Sequence, residues 1–342
     1  MNKKPTMTDG KLLTSAVARY RVQLCHDTPL LDADLRSGKM QRCCFSSLIE
    51  PYKLILFDAY GVLNRGEGGI EGAVEAVDLC RQHETPFLVV SNNASERPQG
   101  VWQKLQKLGF EIHLDQIITS GMAVKSFVAN SPFRSQPYLL IGTPDSASDY
   151  APNPDNLLIN PPGAPLKTDK KPSYVLICSN RDYYGKAQQQ VVESWLDKAP
   201  LPLLVANPDM VVQSQQGEPV VVAGYTADEL ARRFGSEIIG IGKPFSPVYQ
   251  LVMARFPHLL SQEILMVGDS LTTDILGGCA MGFATCLTLS GIHAQEAEQM
   301  ESLCCDWAIQ PDYIVNSIGG IYKDSRPNGY SQLKPNLDND NG

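Results

Sequence analysis

The chain has 342 residues, enough for two domains or for one large α/β domain carrying an insertion. Hydrophobic residues at 43% and charged residues at 19% fit an ordinary globular protein. A net charge of −8 argues against a general nucleic-acid binder, since a phosphate backbone would be repelled, but leaves room for an anionic small molecule beside a bound cation. Nine cysteines without CxxC spacing read as reduced thiols of a cytoplasmic protein. No apolar run approaches the ~18 residues of a membrane span, and Lys3 and Lys4 are not followed by an apolar signal segment.

Residues 1–50 form a leader in which Leu12, Leu13, Ala16, Val17, Tyr20 and Leu24 recur at helical spacing, predicting one amphipathic helix docked on the domain surface. Leu54 to Phe57 is a short apolar run of the kind buried in a parallel sheet. A helix is expected over Gly72 to Gln82, a strand over Phe87 to Val90, and a helix over Val101 to Leu108. Gln116 to Thr119 reads as a strand and Met122 to Asn130 as a helix. The alternation predicts right-handed βαβ crossovers and a doubly wound parallel sheet. It returns late in the chain, with strands at Ile238 to Ile241, Ile264 to Val267, Ala284 to Leu289 and Tyr313 to Val315, and helices at Val248 to Phe256 and Ile275 to Met281. Between these halves, Pro-rich segments surround apolar runs at Tyr138 to Ile141, Tyr174 to Cys178 and Leu203 to Ala206. The organisation expected is a Rossmann-like core over 51–131 and 238–322, an inserted α/β cap domain over 132–237, and a disordered polar tail over 323–342.

In open α/β sheets, ligands bind at the carboxyl ends of strands. Four strand ends here carry pointed chemistry: Asp58-Ala59-Tyr60-Gly61-Val62-Leu63, Ser91-Asn92-Asn93, Gly242-Lys243-Pro244, and Gly268-Asp269-Ser270 with Asp274 shortly after. Singly, each has a plain structural explanation as a turn, a helix cap or a solvated charge. Jointly they propose a site. Asp58, Asp269 and Asp274 would crowd carboxylates at one sheet edge, which calls for a cation, and magnesium suits such oxygen ligands. Ser91 and the amides around Asn92 and Asn93 can cradle a phosphate. Lys243 can neutralise nucleophile and phosphoryl charge, and Asp58 can attack phosphorus. The five histidines are scattered without ligand spacing and read as structural.

These four segments resemble the motifs of the haloacid dehalogenase superfamily. Gly69-Ile70-Glu71-Gly72-Ala73 and Asn207-Pro208-Asp209 resemble segments of its class IIA branch, which carries an α/β cap between the second and third motifs and includes sugar-phosphate, nucleotide, pyridoxal phosphate and nitrophenyl phosphatases. The similarity spans roughly residues 52–320. It implies that Asp58 is the nucleophile and a magnesium ligand, with the Tyr60 main-chain carbonyl and Asp269 as further ligands and Asp274 as the outer carboxylate. It further implies that Ser91, Asn92, Asn93 and Lys243 contact phosphate, that Asn207 and Asp209 line the pocket or brace its loop, and that a homodimer forms through the cap. The substrate implied is a small phosphorylated metabolite, with neither nucleic acid nor membrane as partner.

One departure matters. Phosphatases of this superfamily carry a second Asp two positions after the nucleophile, where it protonates the leaving group; here that position is Tyr60. A general acid is typically worth about 10²–10⁴-fold, and a phenol is a poor substitute at neutral pH. Three expectations follow: a phosphatase of reduced power, a non-catalytic phosphate and magnesium sensor, or a dehalogenase-type hydrolase. The last shares the Tyr but carries a helical cap and no magnesium site. Arg181, Asp182, Tyr183 and Tyr184, after a predicted cap strand, are further candidates to face the substrate.

Overall fold

The computed structural model describes residues 18–21, 23–24, 40–158, 170–180, 186–214, 216 and 218–320. The expected disordered tail and the Arg181 to Tyr184 segment lie outside the described residues, as does most of the predicted leader helix. Of that helix, the described residues are helical, and Tyr20 and Leu24 are buried.

Among the described residues, fifteen strands occur in chain order: β1 (Gln41–Arg42), β2 (Leu54–Phe57), β3 (Asn64–Arg65), β4 (Gly68–Gly69), β5 (Phe87–Ser91), β6 (Ile117–Thr119), β7 (Tyr138–Ile141), β8 (Tyr174–Ile177), β9 (Leu203–Val205), β10 (Val211–Gln213), β11 (Pro219–Val221), β12 (Ile238–Gly240), β13 (Ile264–Gly268), β14 (Ala284–Thr288) and β15 (Tyr313–Val315). The α-helices that bear on the site are α1 (Ala73–Gln82), α2 (Pro98–Lys107), α3 (Ser120–Ala129), α4 (Lys186–Leu196), α5 (Ala223–Phe234), α6 (Ser246–Arg255), α7 (Leu276–Ala280) and α8 (Met300–Trp307).

Seven strands form one parallel sheet in the order β1-β15-β14-β13-β2-β5-β6. Every residue of β2, β5 and β13 is buried, as expected of interior strands covered on both faces. Because β2 lies between β13 and β5 and all three run the same way, their carboxyl ends meet at one rim. A second parallel sheet, β12-β9-β8-β7, is built from the inserted segment. The antiparallel hairpin β10–β11 hangs from it.

Two expectations need correction. The predicted boundary at 237/238 assigned Ile238 to Ile241 to the core, yet β12 bonds β9, Ile238 opposite Leu203 and Gly240 opposite Val205. The chain returns to the core only after this strand. The leader, taken to lie outside the core, contributes β1 to its sheet edge, and Phe45, Leu48 and Ile49 are buried beside Phe57 and Val77. A two-residue polar edge strand carries no hydrophobic pattern by which to find it.

The two sheets share an apolar layer. Helix α3 presents Ala123, Val124 and Val128, and α6 presents Val248, Tyr249 and Val252. These belong to one continuous cluster with Leu56 and Val90 of the larger sheet and with Tyr138, Leu140, Tyr174, Leu176 and Leu204 of the smaller. Tyr138 and Tyr174 stack within it, with centroids 5.1 Å apart and planes 9° from parallel.

Candidate active site

The rim gathers the charged residues singled out in the sequence. Asp58 follows β2, its amide donating to the Val267 carbonyl at 2.8 Å, which registers it against β13. Its Oδ1 accepts from Lys243 Nζ at 2.5 Å. The same ammonium lies 2.7 Å from Asp274 Oδ1, and the Lys243 side chain is only 2% exposed. Burial opposes the lysine's charge, but Asp274, Asp58 and Asp209 outweigh it and hold the ammonium above the ordinary lysine range.

Lys243 is aimed by its main chain. Its N–H donates to Asn92 Oδ1 at 2.7 Å, and Asn92 Nδ2 donates to its carbonyl at 3.0 Å. Asn93 is committed elsewhere: its Oδ1 accepts from the amides of Ser95 and Glu96, and its Nδ2 donates to Glu96 Oε1 at 2.5 Å. The two asparagine side chains, expected as phosphate contacts, are therefore engaged with protein groups. Ser91 Oγ accepts from the Asn93 amide at 3.2 Å and lines the cavity.

Asp269 follows β13 and is buried, with Oδ2 accepting from the Ile292 amide at 2.8 Å. Two glycines make this crowding possible. A Cβ on Gly61, where φ is +90°, would lie 2.0 Å from Asp269 Oδ2, and one on Gly291 would lie 1.8 Å away. Asp274 sits on a π-helical turn over Leu271–Ile275, which swings it back so that Oδ2 accepts from the Ser270 amide at 3.1 Å while Oδ1 faces Lys243.

One oxygen each of Asp58, Asp269 and Asp274 lies within 4.8 Å of the others, all three residues being buried. Burial, and then the neighbouring carboxylates Asp58 and Asp274, push the Asp269 carboxyl well above its usual range. Burial likewise raises Asp58 to about 7, against the lowering effect of Lys243. Three carboxylates facing one ammonium are under-compensated, and this donor set fits a hard divalent cation.

The cavity over this rim has a volume of about 190 Å³. Its far wall comes from the inserted segment: Asn207, Asp209, Met210, Val211 and Val212. Asn207 braces the loop, its Oδ1 accepting from the Asp209 amide at 3.0 Å. Asp209 reaches across to the core, where its Oδ1 accepts from Asn92 Nδ2 at 3.0 Å. Burial raises its carboxyl to about 6, against the lowering effect of Lys243. Tyr60, half-buried, points to the same wall: its hydroxyl donates to the Gln213 carbonyl at 2.6 Å. Sequence reasoning missed the supporting contacts of Ile292 and Ser290, which come from a loop without a readable motif, and the hydrogen bond from Thr273, which lies within the fourth motif, to Asp209; Ser290 Oγ donates to the Gly61 carbonyl at 2.7 Å.

Comparison with known proteins agrees with this architecture. A family model described as haloacid dehalogenase-like hydrolase matches residues 55–151, running into the insertion through β7, and a second, described as HAD-hydrolase-like, matches residues 240–321. An acid sugar phosphatase of Staphylococcus haemolyticus is 25% identical over 245 residues, covering 72% of this chain and 88% of that protein. The crystal structure of a possible sugar phosphatase from Cytophaga hutchinsonii superposes with a TM-score of 0.72 at 27% identity, covering 83% of this chain and all of that one. A glycerol phosphate phosphatase from Mycobacterium tuberculosis, solved with magnesium, has a TM-score of 0.64 at 23% identity, covering 82% and 78% of the respective chains. With the core matched on both sides of an α/β insert, the chain belongs to the haloacid dehalogenase superfamily of hydrolases and is similar to its class IIA sugar and nitrophenyl phosphatases.

Proposed function

We propose that this protein is a magnesium-dependent phosphatase of small phosphorylated metabolites, sugar phosphates foremost, working through an aspartyl-phosphate on Asp58. The observation that carries this reading is the Lys243 ammonium set between Asp58 and Asp274, with Asp269 beside them, under a cavity of about 190 Å³. Asp58, Asp269 and the Tyr60 main-chain carbonyl would hold the cation, with Asp274 behind them. When bound, magnesium would offset the charge of the incoming phosphate and of the carboxylates.

The chain's own residues then divide the work. Lys243 holds one oxygen of Asp58, leaving the other to attack phosphorus, and its charge stabilises the transferring phosphoryl group. Ser91 and the nearby amides orient the phosphate. The apolar wall of Met210, Val211 and Val212 excludes water and limits the size of the leaving group. The names of the relatives support phosphate monoesters as substrates, and the four-stranded sheet of the insert opposes the dehalogenase alternative, which carries a helical cap.

The test is phosphate release from a panel of sugar phosphates and an aryl phosphate, with and without magnesium. Wild type should turn over only with the metal, and Asp58→Asn should fall below about 10⁻⁴ of wild type. Tyr60→Asp, which restores a carboxyl at the customary position, should raise the rate. Halide release from a 2-haloacid without metal would support the dehalogenase reading, and binding without turnover would make the protein a sensor.

A further inference from the structure

The site described above needs a proton donor for the leaving oxygen, and Tyr60 is badly placed to be one. Its hydroxyl proton is directed at the Gln213 carbonyl, 2.6 Å away on the insert. Among the other described acids lining the cavity, Asp58 is the nucleophile, while Asp269 and Asp274 face the cation site and Lys243. Glu96 follows β5 on the core side, with the nucleophile, and is held by Asn93 Nδ2 at 2.5 Å. Asp209 is left.

We propose that Asp209, delivered by the inserted segment, is the general acid and base of this site in place of the missing core aspartate. The proposal rests on the phosphatase reading and assigns a residue to its unfilled role. In-line displacement at phosphorus places the leaving oxygen opposite the nucleophile. Asp58 attacks from the core rim, so the ester oxygen departs toward the insert, and Asp209 is the carboxyl on that wall.

Its loop is fixed as a catalytic group requires. The Asp209 amide donates to Asn207 Oδ1 at 3.0 Å, and its carbonyl accepts from the Gly224 amide at 2.9 Å. The preceding Pro208 carbonyl accepts from the Tyr20 hydroxyl at 2.6 Å. Gly224 has no side chain for a reason: a Cβ there would lie 2.2 Å from the Pro208 carbonyl oxygen. Asn92 Nδ2 and the Thr273 side chain then orient the carboxyl itself.

The charged and titratable groups facing Asp209 are Lys243, Asp274, Asp58 and Asp269 from the core and Tyr20 from the leader. Burial and Asp274 raise its carboxyl to about 6, while Lys243 and the hydrogen bonds from Asn92 and Thr273 lower it. A group titrating close to neutrality can both give and take a proton.

An Asp58 oxygen forms a bond to phosphorus while the phosphorus–ester oxygen bond breaks. The leaving oxygen keeps that electron pair and takes the Asp209 proton, departing as an alcohol. The Asp209 carboxylate then takes a proton from the water that attacks phosphorus. The Asp58–phosphate bond breaks, giving inorganic phosphate, the free Asp58 carboxylate and reprotonated Asp209.

The experiment is pre-steady-state kinetics, with substrate in excess over enzyme, of magnesium-loaded, full-length wild type and Asp209→Asn on glycerol phosphate and on p-nitrophenyl phosphate. The alkyl leaving group needs the proton and the nitrophenolate does not. Asparagine keeps the acceptor for Asn92, and the ratio of the two rates within one preparation cancels any misfolded fraction. Glycerol release should slow by about 10²–10⁴-fold, while nitrophenolate release slows by less than about 10-fold. The latter should show a burst followed by slow turnover, because hydrolysis of the aspartyl-phosphate also lacks its base. Asp209→Glu should recover part of the glycerol rate. Equal slowing on both substrates, without a burst, would overturn the proposal and leave Asp209 a loop brace. No turnover of either substrate by wild type would instead overturn the phosphatase reading beneath it.

Discussion

The two parallel sheets are built alike and used differently. The seven-stranded sheet ends in carboxylates: Asp58 after β2 and Asp269 after β13, with Ser91 closing β5. The four-stranded sheet ends in a loop whose contribution to the cavity is largely apolar, Met210, Val211 and Val212, with Asn207 and Asp209 at its polar end. Charge is concentrated where buried interior strands hold it. Shape is placed on a hairpin that can vary without disturbing the rim. A buried charge cluster must be held by its neighbours or it neutralises itself, and the core sheet, locked on both faces, is the region able to do so.

That contrast can be broken by experiment. The largest expected effect belongs to the rim: Lys243→Ala leaves Asp58 and Asp274 without their shared cation. It should cost about 3–5 kcal/mol of folding stability, read from urea unfolding midpoints. A cost no greater than that of Val212→Ala would erase the distinction between rim and wall.

The second test asks whether the wall's one buried acid obeys the rim's electrostatics. Asp209 titrates in the folded protein at about 6 rather than the usual 3.8, so the folded state holds its proton more tightly than the unfolded chain. Between these values the unfolded chain has lost a proton that the folded protein retains, so stability falls as pH rises through the window. Asp209→Asn removes that dependence. In chelator, the variant should match wild type near pH 4 and be more stable above pH 6, by at most about 3 kcal/mol. Equal thermal melting profiles across the range would show that the wall is solvated there. The smallest effect is at the seam. Tyr60→Phe removes the hydroxyl bond to Gln213, worth about 1 kcal/mol, so amide exchange in β10–β11 should quicken about fivefold while β13 is unchanged.

The rim was readable because its signals are local. Leu54–Phe57 and Tyr313–Val315 are strands over the expected residues, since short apolar runs between turn residues suit strands of a parallel sheet. The acidic and basic motifs stand directly after such strands, so finding the strand finds the residue. Other features depend on partners distant in sequence. Nothing in Ile238–Gly240 states which sheet it joins, and the Gly-Lys-Pro segment after it pointed to the wrong one. The hairpin β10–β11 is three residues per strand and carries too little alternation to register. The spacing from Asp269 to Asp274 is visible, but the π-helical turn that faces Asp274 toward Lys243 is not. The Tyr60 hydroxyl meets a carbonyl 153 residues away.

Helices α3 and α6, wedged between the sheets, set the limits of modularity. Their apolar residues are shared by both sheets, so excising the insert would strip one side of a common interior rather than lift a detachable hood. A shortened chain would have to repaint that exposed face with polar side chains before it could stand alone. Any exchange of inserts between relatives must likewise carry α3 and α6 with the graft, or match their outward surfaces residue for residue.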